Sequence, residues 1–139
     1  MSAFLWALLT AGIWGLVPLM EKLGLGAVSP TAGVAVRSVG VVAGLVLFGW
    51  MLAPWSVLRT LPWSSMLLLA GGGFLASFVG QLAFYQALKS GTVSQMTPVA
   101  GAYPLVAALL GWVVLREPLT VPRLVGVACV VVGVILLRR

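Results

Sequence analysis

Apolar residues run almost unbroken along this chain, and the charged ones gather at intervals between long uncharged stretches. A helix needs about 20 mainly apolar residues to cross the hydrocarbon core of a bilayer. On that scale the pattern predicts five transmembrane helices, at about 3–20, 32–52, 65–88, 93–115 and 121–137. The first span stops at Glu21-Lys22, and the loop Gly24-Leu25-Gly26-Ala27-Val28-Ser29-Pro30 leads to Thr31, a candidate cap for the second. Pro54 ends the second span. The turn from Pro54-Trp55-Ser56 to Pro62-Trp63-Ser64 carries Arg59 and two tryptophans suited to the lipid–water interface. Lys89-Ser90-Gly91 stops the third span and Arg116-Glu117-Pro118 the fourth. Thr120 can cap the fifth, with Pro122 in its first turn, where a missing N–H does no harm. Strands are not expected, because barrel strands alternate apolar and polar residues over about ten positions. The first span lacks a basic flank and is followed by further spans, so it reads as a retained helix, not a leader peptide.

Glycines mark the packing faces. Gly40 and Gly44 sit four apart on the second span, and Gly72, Ala76 and Gly80 form a small-residue stripe on the third. Gly126 and Gly133 share a face of the fifth. Lipid provides no hydrophobic force between helices, so close backbone approach must hold them together. The second and third spans are expected to use their glycines within one chain. The run Gly71-Gly72-Gly73 reads as a packing or kink feature.

Composition removes the soluble alternatives. Of 139 residues, 62% are hydrophobic and 7% charged, against about 25% charged in an ordinary soluble domain. Lipid is therefore the solvent for most of the surface, and the length allows a single domain. The net charge of +6 is spread one or two groups per loop, which suits anchoring to phosphates and not a nucleic-acid patch. There is no histidine and one cysteine, Cys129, expected as a small core residue. No metal spacing, phosphate-binding loop or catalytic set is visible, so neither a cofactor nor an enzyme is expected. Five spans place the termini on opposite sides. Arg59, Arg116 and Arg123 fall on one side, and Lys22, Lys89, Arg138 and Arg139 on the other, with Arg37 able to snorkel toward the second. The side richer in Lys and Arg becomes cytoplasmic. The near balance predicts insertion in both orientations and an antiparallel homodimer.

Polar residues inside a span are costly and tend to mark function. Ser77, Gln81 and Tyr85 recur every fourth residue on one face of the third span. Gln95, Thr97 and Tyr103 lie on the fourth, Thr10 and Trp14 on the first, and Arg37 lies ~9 Å inside the second at 1.5 Å per residue. Trp14, Arg37, Ser77, Gln81, Tyr85, Gln95 and Tyr103 are therefore the candidate substrate-binding residues. For Gln81 and Tyr85 the alternative is interhelical hydrogen bonding, for Trp14 simple packing, and for Arg37 snorkelling. Glu21 and Glu117 read as solvated end pairs with Lys22 and Arg116. Pro98 and Pro104 each remove a backbone hydrogen bond from the fourth span, giving either a static bend or a moving part beside a cavity.

In this order and spacing the features resemble the EamA domain of the drug/metabolite transporter superfamily. The resemblance rests on Trp14-Gly15, Lys22, Arg37, the segment Leu82-Ala83-Phe84-Tyr85-Gln86-Ala87-Leu88, and the prolines Pro98 and Pro104. It extends through Leu115-Arg116-Glu117-Pro118-Leu119 to Gly126 and Gly133-Val134, nearly the whole chain. Most members fuse two five-helix units in inverted orientation; this chain resembles the half-size form. The resemblance implies a multi-pass transporter of small metabolites or drug-like solutes in the inner (plasma) membrane, working by alternating access as a pair. The partner would be a second copy or a homologous subunit. Omitting the second span, the chain is also similar to small multidrug resistance exporters, whose last helix dimerises through glycines; Gly126 and Gly133 take that role by resemblance. Those exporters carry a glutamate eight residues before the lysine that ends the first helix. Here that position is Trp14, which removes the acid on which proton-coupled exchange of cations depends. The remaining readings are a subunit of a heteromeric lipid-carrier flippase and a non-transporting membrane scaffold.

Overall fold

Among the described residues there are five helical spans, and the first differs most from the sequence pattern, running past the charges at Glu21-Lys22 to Leu25. The computed structural model describes residues 3–52, 56, 59–118 and 120–137. Pro54 and Trp55 of the expected turn, Leu119, and the basic pair Arg138-Arg139 lie outside the described residues. Helix α1 covers Ala3–Leu25 and α2 covers Pro30–Leu52. The third span comprises α3 (Trp63–Phe74), a π-helical segment (Leu75–Gly80) and α4 (Gln81–Ser90). The fourth is broken into α5 (Val93–Ala100) and α6 (Tyr103–Val113), and α7 covers Val121–Leu137. Among the described residues there is no strand. Four spans have the length and hydropathy to cross a membrane, at 22, 20, 28 and 21 residues. The fifth, with 17 residues, is at the short limit for a crossing.

Helix α1 continues past Met20 because Glu21 and Lys22 are good helix formers and apolar residues resume at Leu23 and Leu25. The turn closes with Val28 N–H donating to Leu25 O at 2.6 Å. Ser29, not Thr31, caps α2: its Oγ accepts from Ala32 N–H at 3.3 Å, and Pro30 takes the first helical position, where its missing N–H costs nothing. Thr120 stands where expected before α7, its carbonyl accepting from Leu124 N–H at 3.0 Å.

The π segment follows the weak-helix run Gly71-Gly72-Gly73. A Cβ on Gly80 would lie 3.1 Å from Leu75 O, so glycine admits the widened turn. The break in the fourth span falls at Gly101-Ala102, and Pro104 follows in the first turn of α6. Pro98 stays inside α5. Gly101 N–H donates to Thr97 O at 2.7 Å, closing α5 ahead of the break.

The chain forms two compact units, Met1–Lys89 and Ser90–Arg139. In the first, α1 packs on α2, and α2 on the π segment. Leu25, Val34, Tyr85 and Leu88 are buried at the end where α1 finishes and α2 begins, and Pro18 is buried further back along α1. Two lysines tie that end together. Lys22 Nζ donates to Leu88 O, and Lys89 Nζ donates to Gly26 O at 2.9 Å. Each ammonium thus meets carbonyls at the close of the other's helix, where positive charge is favoured. Towards the other end, Phe4, Trp6, Phe48 and Leu68 face outward.

In the second unit α7 packs along both α5 and α6, and none of these helices has a fully buried residue. Cys129, expected in a core, is exposed. Arg116 adopts φ 54°, reversing the chain so that Glu117 N–H donates to Gly111 O at 3.1 Å. Glu117 then pairs with Arg123 at 3.5 Å, both about half exposed. It is a solvated end pair as expected, but its partner is not Arg116.

The glycines behave differently from their sequence reading. No atom of another element lies within 4 Å of a Cβ built on Gly40, Gly44 or Gly72. The close approach in the first unit is made instead by Gly33. A Cβ there would meet Leu25 Cδ2 and Tyr85 Cε2, each at 2.9 Å.

Candidate functional site

Glu21 is the centre of the polar cluster, and its sequence reading as a solvated partner of Lys22 is corrected by the structure. The longer α1 places it about one turn inside the helix end, and Lys22, next in sequence, points to Leu88 O instead. The Glu21 side chain is only 10% exposed. Its Oε1 accepts from Gln81 Nε2 at 2.9 Å and from Tyr85 OH at 3.0 Å. Arg37 Nε of α2 completes the set at 3.4 Å, with its side chain 33% exposed.

Helical geometry accounts for the convergence. Gln81 and Tyr85 are four apart on α4 and share a face, so one carboxylate receives both. Gly33 lies one turn before Arg37 on α2, and its missing Cβ lets the Tyr85 ring lie against that helix. Tyr85 is 3% exposed, so its hydroxyl is held at Glu21 by a ring that has nowhere else to go. A lone carboxylate among apolar helices would be prohibitively costly; a guanidinium and two neutral donors offset that cost. The compensation is lopsided, because Glu21 Oε2 is buried and has no hydrogen-bond partner. Beside the cluster opens a groove of about 440 Å³, lined by Glu21, Arg37, Tyr85, Gly33 and aliphatic residues including Val17 and Val36.

Of the candidate residues, Arg37, Gln81 and Tyr85 are brought together. Ser77 is not: it lies on the π segment, exposed, and makes none of the Glu21 contacts. The periodicity that put it in line with Gln81 assumed an α-helical turn, and the π turn changes the register. Trp14 is 60% exposed on α1. In the second unit Gln95 Nε2 donates to Leu137 O at 2.8 Å. It fastens α5 to the end of α7. Tyr103, at the start of α6, is 60% exposed. The sequence reading missed Glu21 and Gly33. One signal for Glu21 was available: a span of 18 residues falls short of a bilayer, and continuing through Glu21-Lys22 to Leu25 makes up the difference. Nothing in the sequence marks Gly33, since its partner Tyr85 is remote in the chain.

The whole chain, residues 1–139, matches the EamA-like transporter family. An uncharacterized transporter in the cobO 3′ region of a Sinorhizobium species is 27% identical over 132 residues, 95% of this chain and 93% of that protein. An uncharacterized protein of Methanocaldococcus jannaschii is 34% identical over 59 residues, 42% of this chain and 43% of its own length. No solved structure matches.

Proposed function

The chain belongs to the EamA-like transporter family and is a multi-pass membrane transporter; from that premise we propose that it moves small metabolites or drug-like solutes across the inner membrane by alternating access. The observation that carries this reading is the Glu21–Arg37–Gln81–Tyr85 cluster beside an open groove. A chain so apolar has few places for polar groups, and those inside spans line pathways or bind solutes as a rule. The break at Gly101-Ala102 supplies a point about which the fourth span can bend, as discontinuous helices do in transporters.

Flux into proteoliposomes tests the assignment. Against a metabolite panel, Gln81→Ala and Tyr85→Phe are each expected to lower uptake several-fold. These variants remove one hydrogen bond apiece, each worth about 1 kcal/mol. Unchanged flux in both would remove the cluster from the pathway.

Two chains are needed to complete the pathway in this reading, arranged antiparallel with α7 of each in contact. Gly126 and Gly133 support it, since no neighbouring atom lies within 4 Å of a Cβ at either and a second helix can approach there. The matching length of the Sinorhizobium relative is in keeping with a half-size transporter. In a Cys129→Ala background, single cysteines at Ser29 and at Ser64 are each expected to label from both faces of the membrane. Labelling of each from one face only would rule out dual insertion.

A further inference from the structure

The second unit carries a groove of its own, about 540 Å³, between α6 and α7. Half-buried Leu105, Ala108 and Val127 line it, with Trp112 more exposed. Glu117 and Arg123 line it where the loop joins the two helices. From Arg123 to Val130 it follows α7 for about 10 Å, at 1.5 Å per residue. Both charged side chains are about half exposed, so a ligand in the groove can reach them. They meet at 3.5 Å, whereas a tight charge-assisted pair closes to about 2.7–2.9 Å. Among the described residues Arg123 makes its contacts through Nη1, to Glu117 Oε2 and to Pro118 O. A guanidinium donates through all three of its nitrogens, so Nη2 and Nε are left for a ligand. Arg116 does not line the groove.

An occupant that matches these walls is apolar along its length and brings an anion and a cation to one end. A second copy of α7 does not, because residues 124–137 carry no charge. Its glycine face also points elsewhere: Gly126 and Gly133 lie about 80° round α7 from the face of Arg123, Val127 and Val130, at 3.6 residues per turn. A bilayer lipid has the required form. The charged end of the groove lies where two spans finish, at headgroup depth, and its apolar length runs toward the hydrocarbon. We propose that the α6–α7 groove binds one phospholipid with a zwitterionic, ammonium-bearing headgroup. Its phosphate lies at Arg123, its ammonium at Glu117, and part of an acyl chain along Leu105, Ala108 and Val127. Glu117 makes the mouth neutral, which favours a zwitterion over an anionic lipid. An ammonium with N–H donors suits the carboxylate better than a quaternary nitrogen, which has none.

Dioleoyl phosphatidylethanolamine, phosphatidylcholine and phosphatidylglycerol share their chains and differ in charge and donors. Each is titrated into the full chain in micelles, and bound lipid is counted by native mass spectrometry. The wild type is expected to hold one phosphatidylethanolamine per chain, about threefold or more tighter than either of the others, the range that part-exposed charge pairs give. Glu117→Gln leaves Arg123 unbalanced and moves the preference to phosphatidylglycerol. Arg123→Gln weakens all three, because the phosphate is common to them. Ala108→Leu fills the groove and weakens all three with the charges intact. If it does not fold, the two charge variants, at half-exposed positions, decide the matter. Arg116→Gln keeps the wild-type order; a loss there as large as that of Arg123→Gln overturns the proposal. Equal affinities in the wild type, or an order that neither Glu117→Gln nor Arg123→Gln disturbs, mean a non-specific lipid shell and overturn it too. In a Cys129→Ala background, Val127→Cys chains are expected to stay unlinked under oxidation. A disulfide-linked dimer would place a second copy in the groove instead of lipid.

Discussion

Glu21→Ala is expected to destabilise the protein by about 3 kcal/mol, the lower end of the range for breaking a buried ion pair, since Arg37 keeps a third of its side chain exposed. The loss is large because one carboxylate oxygen serves three partners. Without it the Arg37 guanidinium, the Gln81 amide and the Tyr85 hydroxyl all lose their acceptor, and Tyr85 is only 3% exposed to water. The other members of the cluster should follow in a fixed order. Arg37→Ala leaves the carboxylate with two neutral donors and costs less. Tyr85→Phe removes a single hydrogen bond and costs about 1 kcal/mol. Equilibrium unfolding in mixed micelles reads all three. If Glu21→Ala costs no more than Tyr85→Phe, the carboxylate is hydrated and the cluster is a surface feature.

Gly33→Ala should be the second most damaging change, although it adds one methyl group to a helix. Its Cβ would sit 2.9 Å from both Leu25 Cδ2 and Tyr85 Cε2 and 3.1 Å from Tyr85 Cδ2. Two buried side chains press on the position from different elements, so neither can yield without disturbing the other. Overpacking of this kind costs about 1–3 kcal/mol. The functional effect is expected to exceed the stability effect. Tyr85 moves as a rigid ring, and any shift off α2 draws its hydroxyl from Glu21. Uptake by Gly33→Ala should therefore fall to the level of Tyr85→Phe or lower. Gly40→Ala and Gly44→Ala serve as controls on the same helix. With no atom within 4 Å of either Cβ, both should stay within about 0.5 kcal/mol of the wild type. A control as damaging as Gly33→Ala would show that α2 packs on another chain at its GxxxG face. Should Gly33→Ala itself prove neutral in both stability and uptake, the tight contact with Tyr85 does not exist.

Much of the architecture was legible in the residue pattern. Continuous apolar runs of bilayer length, separated by charge, proline and glycine, have one stable solution in lipid, because every backbone group in a span must bond within it. That is why the number of spans, the absence of strands among the described residues and the starts of α5 and α7 follow from local chemistry. The family was legible too, through motifs strung along the whole chain. Part of the site was visible as well. Arg37, Gln81 and Tyr85 are polar residues inside spans, and their expense singled them out.

Tertiary structure alone decided how those residues are used. In the sequence the charges at Glu21 and Lys22 mark a helix end; contacts with α2 and α4 make that stretch an interior turn and give the carboxylate its partners. Ser77 left the polar face because a π turn altered a register that sequence spacing takes as constant. Gln95 found a helix terminus instead of a cavity. Gly33 acquired its role from an aromatic ring more than fifty positions away. Local sequence determines which groups are expensive to place in a membrane; only the assembled helices determine which neighbour relieves that expense, since the partners lie on different elements.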